Sequence, residues 1–404
     1  MQDEGREERG RTLAATAKIQ EAHGRWTVPS ATHAGSYVVD LSAEDGPTCS
    51  CPDFELRRTR CKHIHAVEFT IIRETAPDGT VTETRSVRVT YKQDWPAYNA
   101  AQTNEKDRVE RLLRGLCDGI TQPKQGKGRP RLPMSDAVFA AVMKVYGTLS
   151  GRRTASDLRA CEARGLLPAA PHYNTVFKYL EDPALTPILK SLIEESARPL
   201  KAVESDFAVD GSGFSTCSYV RWYDEKYGRE RSEHTWLKVH LMCGVKTNVV
   251  TSVEVTDGDS HDSPQFAGLV KSTAARFHLA EVSADKAYLS KANVDTVVAT
   301  GAAPFIPFKS SSTGTTGSEL WQRLYHFYQF QRAVFLAHYH KRSNVESTFW
   351  MIKSKFGERL RSKSPVAQRN EILCKVLCHN LCVLVQSFYE LGIDATFWAE
   401  SAAA

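Results

Sequence analysis

The chain has 404 residues, 42% of them hydrophobic and 25% charged, with a formal net charge of +5. That length suits two or three domains with at least one sizeable core, and the composition is ordinary for a soluble protein. Met1 is followed by a polar, Arg-rich stretch rather than a secretory signal, and no run of about 18 uncharged apolar residues reads as a membrane span. The expectation is a cytoplasmic protein with no membrane partner, whose ten cysteines are metal ligands or buried thiols rather than a disulfide framework.

Residues 1–22 read as a polar helix or a loose tail, followed by short strands at 25–29 and 37–41. Next come Cys49-Ser50-Cys51 and Cys61-Lys62-His63. A two-residue spacing in extended chain puts both side chains on one face, so each pair grips one metal. Two such pairs complete a tetrahedral Cys3His set for one structural zinc. Ordinary buried thiols fit poorly, because Pro52, Asp53, Arg57, Arg58 and Arg60 make the segment polar. Without zinc, a piece this small would lack the core to hold its shape. The pattern Cys-x-Cys-x9-Cys-x-His resembles the SWIM zinc finger, a small module associated with binding DNA or proteins. The expected ligands are Cys49, Cys51, Cys61 and His63, with His65 a rival for the fourth place.

Residues 124–131 form a boundary, since Gly and Pro prevent regular structure there. Lys124, Lys127, Arg129 and Arg131 then sit on a flexible basic strap. Gly128-Arg129-Pro130-Arg131 is similar to the core of an AT-hook, and a solvated linker is the plainer alternative. Three short helices follow. Ser135 is placed to cap 136–149, and Thr154 to cap 155–164 before Gly165 stops it, with a third helix around 172–180. They suit a helix-turn-helix that presents His172, Asn174, Thr175 and Lys178 to DNA, or equally a helical support for what comes after.

From residue 206 strands are expected at 207–210, 236–245, 249–256, 281–285 and 304–307, with helices at 264–277 and 291–300. Asp210 stands where a buried strand meets a Gly-rich turn, and Asp285 ends a second strand. An aromatic-rich helix over 321–337 leads to Tyr339, Arg342, Glu346 and Lys353. At about 100° per residue, these four fall within an arc of roughly 60°. That face is either a solvated charged surface with (i, i+4) pairing or an acidic metal ligand flanked by cations for phosphates. Two strand-end acids and one helix acid suit a hard divalent cation. Residues 338–369 hold eight Lys or Arg against two Glu, the footprint expected for nucleic acid. Cys374, Cys378 and Cys382 recur every four residues among Leu377, Leu381 and Val385, so a buried helix face is a better reading than a metal stripe.

The spacing Tyr-x2-Arg-x3-Glu-x6-Lys, preceded by Val209-Asp210-Gly211 and Ala284-Asp285-Lys286-x-Tyr288, resembles the DDE transposases of bacterial and archaeal insertion sequences. The resemblance covers about residues 200–390, and the block from Thr256 to Asp262 is similar to a further family block. Ala287 departs from the Gly usual after Asp-Lys. The resemblance implies an α/β fold with a ribonuclease H-like core, a mixed sheet flanked by helices. It makes Asp210, Asp285 and Glu346 the catalytic triad, holding two magnesium or manganese ions. Tyr339, Arg342 and Lys353 would position phosphates or flanking bases of double-stranded DNA. The implied reaction is cleavage at the element's ends and strand transfer into target DNA, by at least a homodimer. A DNA-binding protein of transposase descent that no longer cuts, and a related metal nuclease, are the alternatives. The expected layout is a zinc module at 1–100, a basic linker at 101–134, a helical domain at 135–200 and the catalytic domain at 201–395.

Overall fold

The structure, a computed structural model, describes residues 6, 9–10, 12–14, 17–22, 24–30, 35–43, 46–75, 81–85, 94–124, 127–128, 131–216, 236–310, 312–314 and 318–398. At 71–75 and 81–85 it describes the backbone alone. The chain divides into two units, residues 1–93 and 94–404.

In the first unit, β1 (Gln20–Ala22), β2 (Arg25–Pro29), β3 (Ser36–Asp40) and β4 (Thr48–Cys49) form an antiparallel sheet in chain order. Helices α1 (Pro52–Arg57) and α2 (Lys62–Thr70) follow, then a two-stranded hairpin of β5 (Ile71–Thr75) and β6 (Val81–Arg85). Its small core gathers Trp26, Val28, Val39, Phe54, Ile64 and Val67 around three cysteines. Arg6 and several residues from 9 to 14 are helical, in keeping with a polar N-terminal helix.

The second unit opens with α3 (Trp95–Thr103) and α4 (Glu105–Asp118). This corrects the expected linker at 101–134. Val109, Leu113, Leu116 and Cys117 recur at helical spacing and are fully buried, so most of the stretch belongs to the core. Helices α5 (Met134–Tyr146), α6 (Gly151–Ala163), α7 (Tyr173–Leu180) and α8 (Leu185–Ala197) come next. Two expected caps are displaced. Ser135 lies inside α5, which starts after Pro133, and Thr154 sits inside α6 with its hydroxyl donating to Ser150 O at 3.1 Å.

The central sheet contains β7 (Asp206–Ser215), β8 (Trp236–Gly244), β9 (Val250–Asp257), β10 (Glu281–Ala284) and β11 (Ala303–Phe305), in the order β11-β10-β7-β8-β9. The first three strands form an antiparallel meander, while β10 and β11 run parallel to β7. This is the mixed sheet expected of a ribonuclease H-like core. Helices α9 (Ser263–Ala274) and α10 (Lys291–Ala299) connect the later strands. The aromatic-rich segment forms α11 (Glu319–Phe330) and α12 (Arg332–Tyr339), interrupted at Gln331, whose φ of −124° and ψ of 44° leave the helical region.

Alternation along β7 sends Ala208 and Phe214 to one side, with α13 (Ser343–Phe356) and α14 (Pro365–Leu391). Phe207 and Val209 go to the other side, with α9 and α12. Ser364 caps α14, Pro365 occupies its first turn, and Gly392 ends it with a φ of 69°. This helix is long and apolar enough to pass a length test for a membrane span. It is the core of the unit, however, packed against α3, α4, α5, α7, α8 and α13. Cys374 and Cys378 are fully buried there, as the core-face reading expected. Asn380 fastens it laterally, accepting from Val250 N at 2.8 Å and donating to Val250 O at 2.7 Å and Ser196 Oγ at 2.9 Å.

Candidate active site and metal centre

Asp210 lies in the middle of β7, not at its tip. The strand continues through Gly211, Ser212 and Gly213 to Ser215, paired with β8 throughout. The glycines serve close approach rather than a turn. A Cβ at Gly211 would come 3.1 Å from His240 Nδ1, and one at Gly213 would come 3.1 Å from Trp236. Both rings lie over the back of the strand that carries the acid.

Parallel pairing brings Ala284 opposite Val209, so Asp285, one residue on, comes beside Asp210. Asp285 caps a single 3-10 turn over Lys286–Tyr288, accepting from Lys286 N at 2.6 Å. Ala287 sits in that turn without a positive φ, so the usual Gly is not needed here.

The expected single helix for the Tyr-Arg-Glu-Lys group is two. Tyr339 ends α12, a 3-10 turn spans His340–Arg342, and Glu346 and Lys353 lie on α13. The group still converges. The Arg342 guanidinium bridges the two acids, donating to Asp210 Oδ2 at 2.7 Å and to Glu346 Oε1, and lies 5.8 Å from the centre of the Tyr339 ring. Lys353 Nζ donates to Ser212 Oγ at 2.8 Å, two residues beyond Asp210, and burial lowers its pKa.

The second oxygen of Asp210 accepts from Gly211 N at 2.8 Å. Burial raises the pKa of this carboxyl, and the negative charges of Asp285 and Glu346 add to the rise. The Gly211 N–H and Arg342 oppose it. Three carboxylates that repel one another across a half-buried spot, partly neutralised by a guanidinium, make a place that favours added positive charge.

Sequence reasoning missed what supports the site from behind. His240 is fully buried, with Nδ1 3.5 Å from Asp262 Oδ1 and Nε2 3.0 Å from Thr256 Oγ1. Lys238 pairs with the same Asp262. The buried Tyr288 hydroxyl would lie 3.4 Å from a Cβ at Gly211. His261 is exposed, whereas Asp262 turns inward to Lys238 and His240. The one available signal was the alternation of Lys238 and His240 along β8 opposite two glycines.

A second brace joins the acid-bearing elements. Ser215 at the end of β7 donates to Glu358 O at 3.2 Å and accepts from Leu360 N at 2.9 Å, just after α13 stops at Gly357. Buried Lys375 donates to Gly357 O at 2.7 Å and Arg359 O at 3.0 Å, while Glu371 accepts from Arg361 N and Ser362 N. A hollow of about 780 Å³ opens here, lined by Thr216, Arg359, Arg361 and Lys363. It is distinct from the triad and basic in character.

Of the other expected DNA contacts, Asn174 and Lys178 are exposed on α7. Lys124, Lys127 and Arg131 are exposed around a hollow of about 400 Å³ that also meets Tyr179 and Asp182. Arg129 lies outside the described residues.

In the first unit, Cys49, Cys51, Cys61 and His63 present ligand atoms all within 4.8 Å of one another, and all four residues are buried. His63 Nδ1 is 3.9 Å from Cys49 Sγ and 3.8 Å from Cys61 Sγ. His65 is directed elsewhere, with Nδ1 3.4 Å from Glu68. The contact with Cys49 lowers the pKa of the Cys61 thiol, and that contact together with burial raises that of Cys49. Three sulfurs and one imidazole at this spacing fit a tetrahedral zinc, with its Zn–S bonds of about 2.3 Å.

A family model described as a transposase DDE domain matches residues 201–381, and one described as a SWIM zinc finger matches residues 37–72. No curated protein matches the chain. A solved structure described as a piggyBac transposase synaptic complex with hairpin DNA aligns over 74% of this chain and 77% of that one, at 11% identity and a TM-score of 0.34. Residues 201–381 are a DDE transposase domain, joined in one chain to a SWIM zinc finger at residues 37–72.

Proposed function

We propose that this protein is a DNA transposase that cleaves at the ends of an insertion sequence and joins the freed 3′-hydroxyl to target DNA. The observation that carries the reading is the convergence of Asp210, Asp285 and Glu346 from two adjacent parallel strands and one helix. This hard oxygen set fits two magnesium or manganese ions, which take few protein carboxylates and leave other positions to water and phosphate. Such a pair, when bound, activates water or a 3′-hydroxyl and stabilises the leaving oxygen in an in-line displacement.

The chain's own residues position the substrate. Arg342, already between two carboxylates, is a fork-shaped donor suited to a phosphate. Lys353 is fixed by Ser212 as a second cation along the same face. Tyr339 backs Arg342. Lys124, Lys127, Arg129, Arg131, Asn174 and Lys178 extend the contact to double-stranded DNA away from the cut. Two DNA ends must be brought together, so the active complex is at least a homodimer, working in the cytoplasm on the nucleoid. One zinc holds the N-terminal module.

The test uses a supercoiled donor plasmid carrying the gene with the DNA that flanks it on both sides. Asp210→Ala, Asp285→Ala and Glu346→Ala should each reduce cleavage to the metal-free background while retaining DNA binding in a gel shift. Any one variant that cuts at the wild-type rate with magnesium is removed from the ligand set. Hydrolysis without joined products would favour a nuclease over a transposase.

A further inference from the structure

A hollow of about 430 Å³ opens between the start of α6, the end of α7 and the residues just before α14. None of the three acids of the triad lines it. Leu149, Phe177 and Leu180 give it apolar walls. Its charged lining is Lys144, Arg361 and Lys363 against Glu181 alone. Hollows of this size, apolar with a few convergent polar groups, are the usual seats of small ligands.

Lys144 gives this one its chemistry. It lies near the C-terminal end of α5 and is only 7% exposed. Among the described residues its ammonium has neither a carboxylate nor a hydrogen-bond partner. It faces the Phe177 ring on the wall of the hollow, 5.7 Å from the ring centre. Glu371, which lines an adjoining space with Lys144, is already engaged by Lys375, Arg361 N and Ser362 N. A cation buried without a counter-charge is costly, and an anion entering the hollow would supply one.

The start of α6 adds to the same charge. Ser150 makes no side-chain capping bond, and Thr154 is the first residue whose N–H reaches back to Ser150 O, at 2.9 Å. The N–H groups of Gly151, Arg152 and Arg153 therefore have no helical partner. The positive end of the helix meets the hollow at Ser150 and Gly151. Gly151 also lets the aromatic ring come close, since a Cβ there would lie 2.4 Å from Phe177. A duplex carries its phosphates on the ridge of a wide cylinder and suits open ground. A recessed ammonium between apolar walls suits a small molecule whose terminal phosphate can enter.

We propose that this hollow binds a small organic phosphate with an aromatic body, of the nucleoside monophosphate class. The phosphate lies against Lys144 and the start of α6, and the ring against Phe177. The site stands apart from the triad and does not depend on the DNA-cutting reading. Arg361 and Ser362 line it and are held by Glu371, so an occupant bears on the stretch that joins α13 to α14.

The zinc-loaded full-length protein, in magnesium-free buffer, would be titrated calorimetrically with adenosine 5′-monophosphate, adenosine and inorganic phosphate, and its melting followed with each. The monophosphate should bind at one site per chain and raise the melting midpoint. Adenosine and inorganic phosphate, each carrying part of the recognition, should bind at least about tenfold more weakly. Lys144→Met should weaken the monophosphate at least about tenfold, the order a charge-assisted hydrogen bond supplies, while Lys144→Arg retains most of the affinity. Phe177→Leu, at a partly exposed position, tests the same site should Lys144→Met fail to fold: it should weaken the monophosphate and adenosine but not inorganic phosphate. No saturable binding of the monophosphate at millimolar concentration, or equal affinity in wild type and both variants, would overturn the proposal. A short duplex that binds in place of the monophosphate, and loses affinity in Lys144→Met, would overturn it too, by making the hollow a contact for DNA.

Discussion

At Gly211 the absence of a side chain sets how close the sheet's two faces approach the acid next door. A methyl group there meets His240, Tyr288 and Asp262 at 3.1, 3.4 and 3.5 Å. Gly211→Ala should therefore cost about 1–3 kcal/mol by overpacking, read as a lower urea midpoint. The role of this glycine was not legible in the sequence. Gly-Ser-Gly after a strand reads as a turn, and only the rings lying over β7 show that the same residues serve close approach. Asp210, Asp285 and Glu346 were legible because each falls in a motif block of its own. The zinc ligands were legible because a two-residue spacing needs no tertiary knowledge. The choice between His63 and His65 was not, since both follow Cys61 at a plausible distance. The orientation of His63 toward two sulfurs now predicts that His63→Ala loses zinc by elemental analysis and His65→Ala keeps it. The reverse result would transfer the ligand role.

At the scale of elements, the site depends on how α13 is held against β7, and the buried Lys375 and Glu371 of α14 do much of the holding. Both are about 2% exposed, and they satisfy the backbone of residues 357–362 from opposite ends of its hydrogen-bonding needs. Lys375→Ala leaves a buried carboxylate without its cation, so a loss of about 3–5 kcal/mol is expected, measured by chemical denaturation. The same helix carries His379, whose Nε2 donates to Asn248 O at 2.9 Å. Burial lowers its pKa to about 4. The unfolded chain takes up this proton near pH 6.5 and the folded one does not until about pH 4. Stability should therefore fall as pH drops through that window, by about 3 kcal/mol in all. His379→Gln should flatten that part of a stability-against-pH curve. Strand and helix types in the catalytic domain were legible from their apolar patterning. The break at Gln331 was not, because the aromatic run continues through it. Helix α4 was overlooked because the basic strap just beyond it drew the boundary too early, although its apolar residues keep a helical period.

At the scale of the whole molecule, each unit has its own core, and the smaller one is built around the thiols that would hold zinc. Chelation should abolish a thermal transition belonging to residues 1–93 while the transition of residues 94–404 remains, as calorimetry on the intact chain would show. Neutralising Lys124, Lys127, Arg129 and Arg131 together should reduce the slope of log affinity against log salt by up to about 3.6. Preference for the element's ends should change little, since phosphate contacts position rather than specify. An unchanged slope would make the strap a linker only. Helix α14 is made after every strand and helix it packs against, so the faces of α3, α4, α5, α7 and α8 that it covers stay open until residues 365–391 arrive. A chain interrupted before Pro365 contains Asp210, Asp285 and Glu346 but lacks the Lys375 and Glu371 that hold the end of α13 against β7. Such fragments should be insoluble and, on a supercoiled plasmid, should give no nicked product, so the fold of residues 94–404 is completed only when its last long helix closes the core.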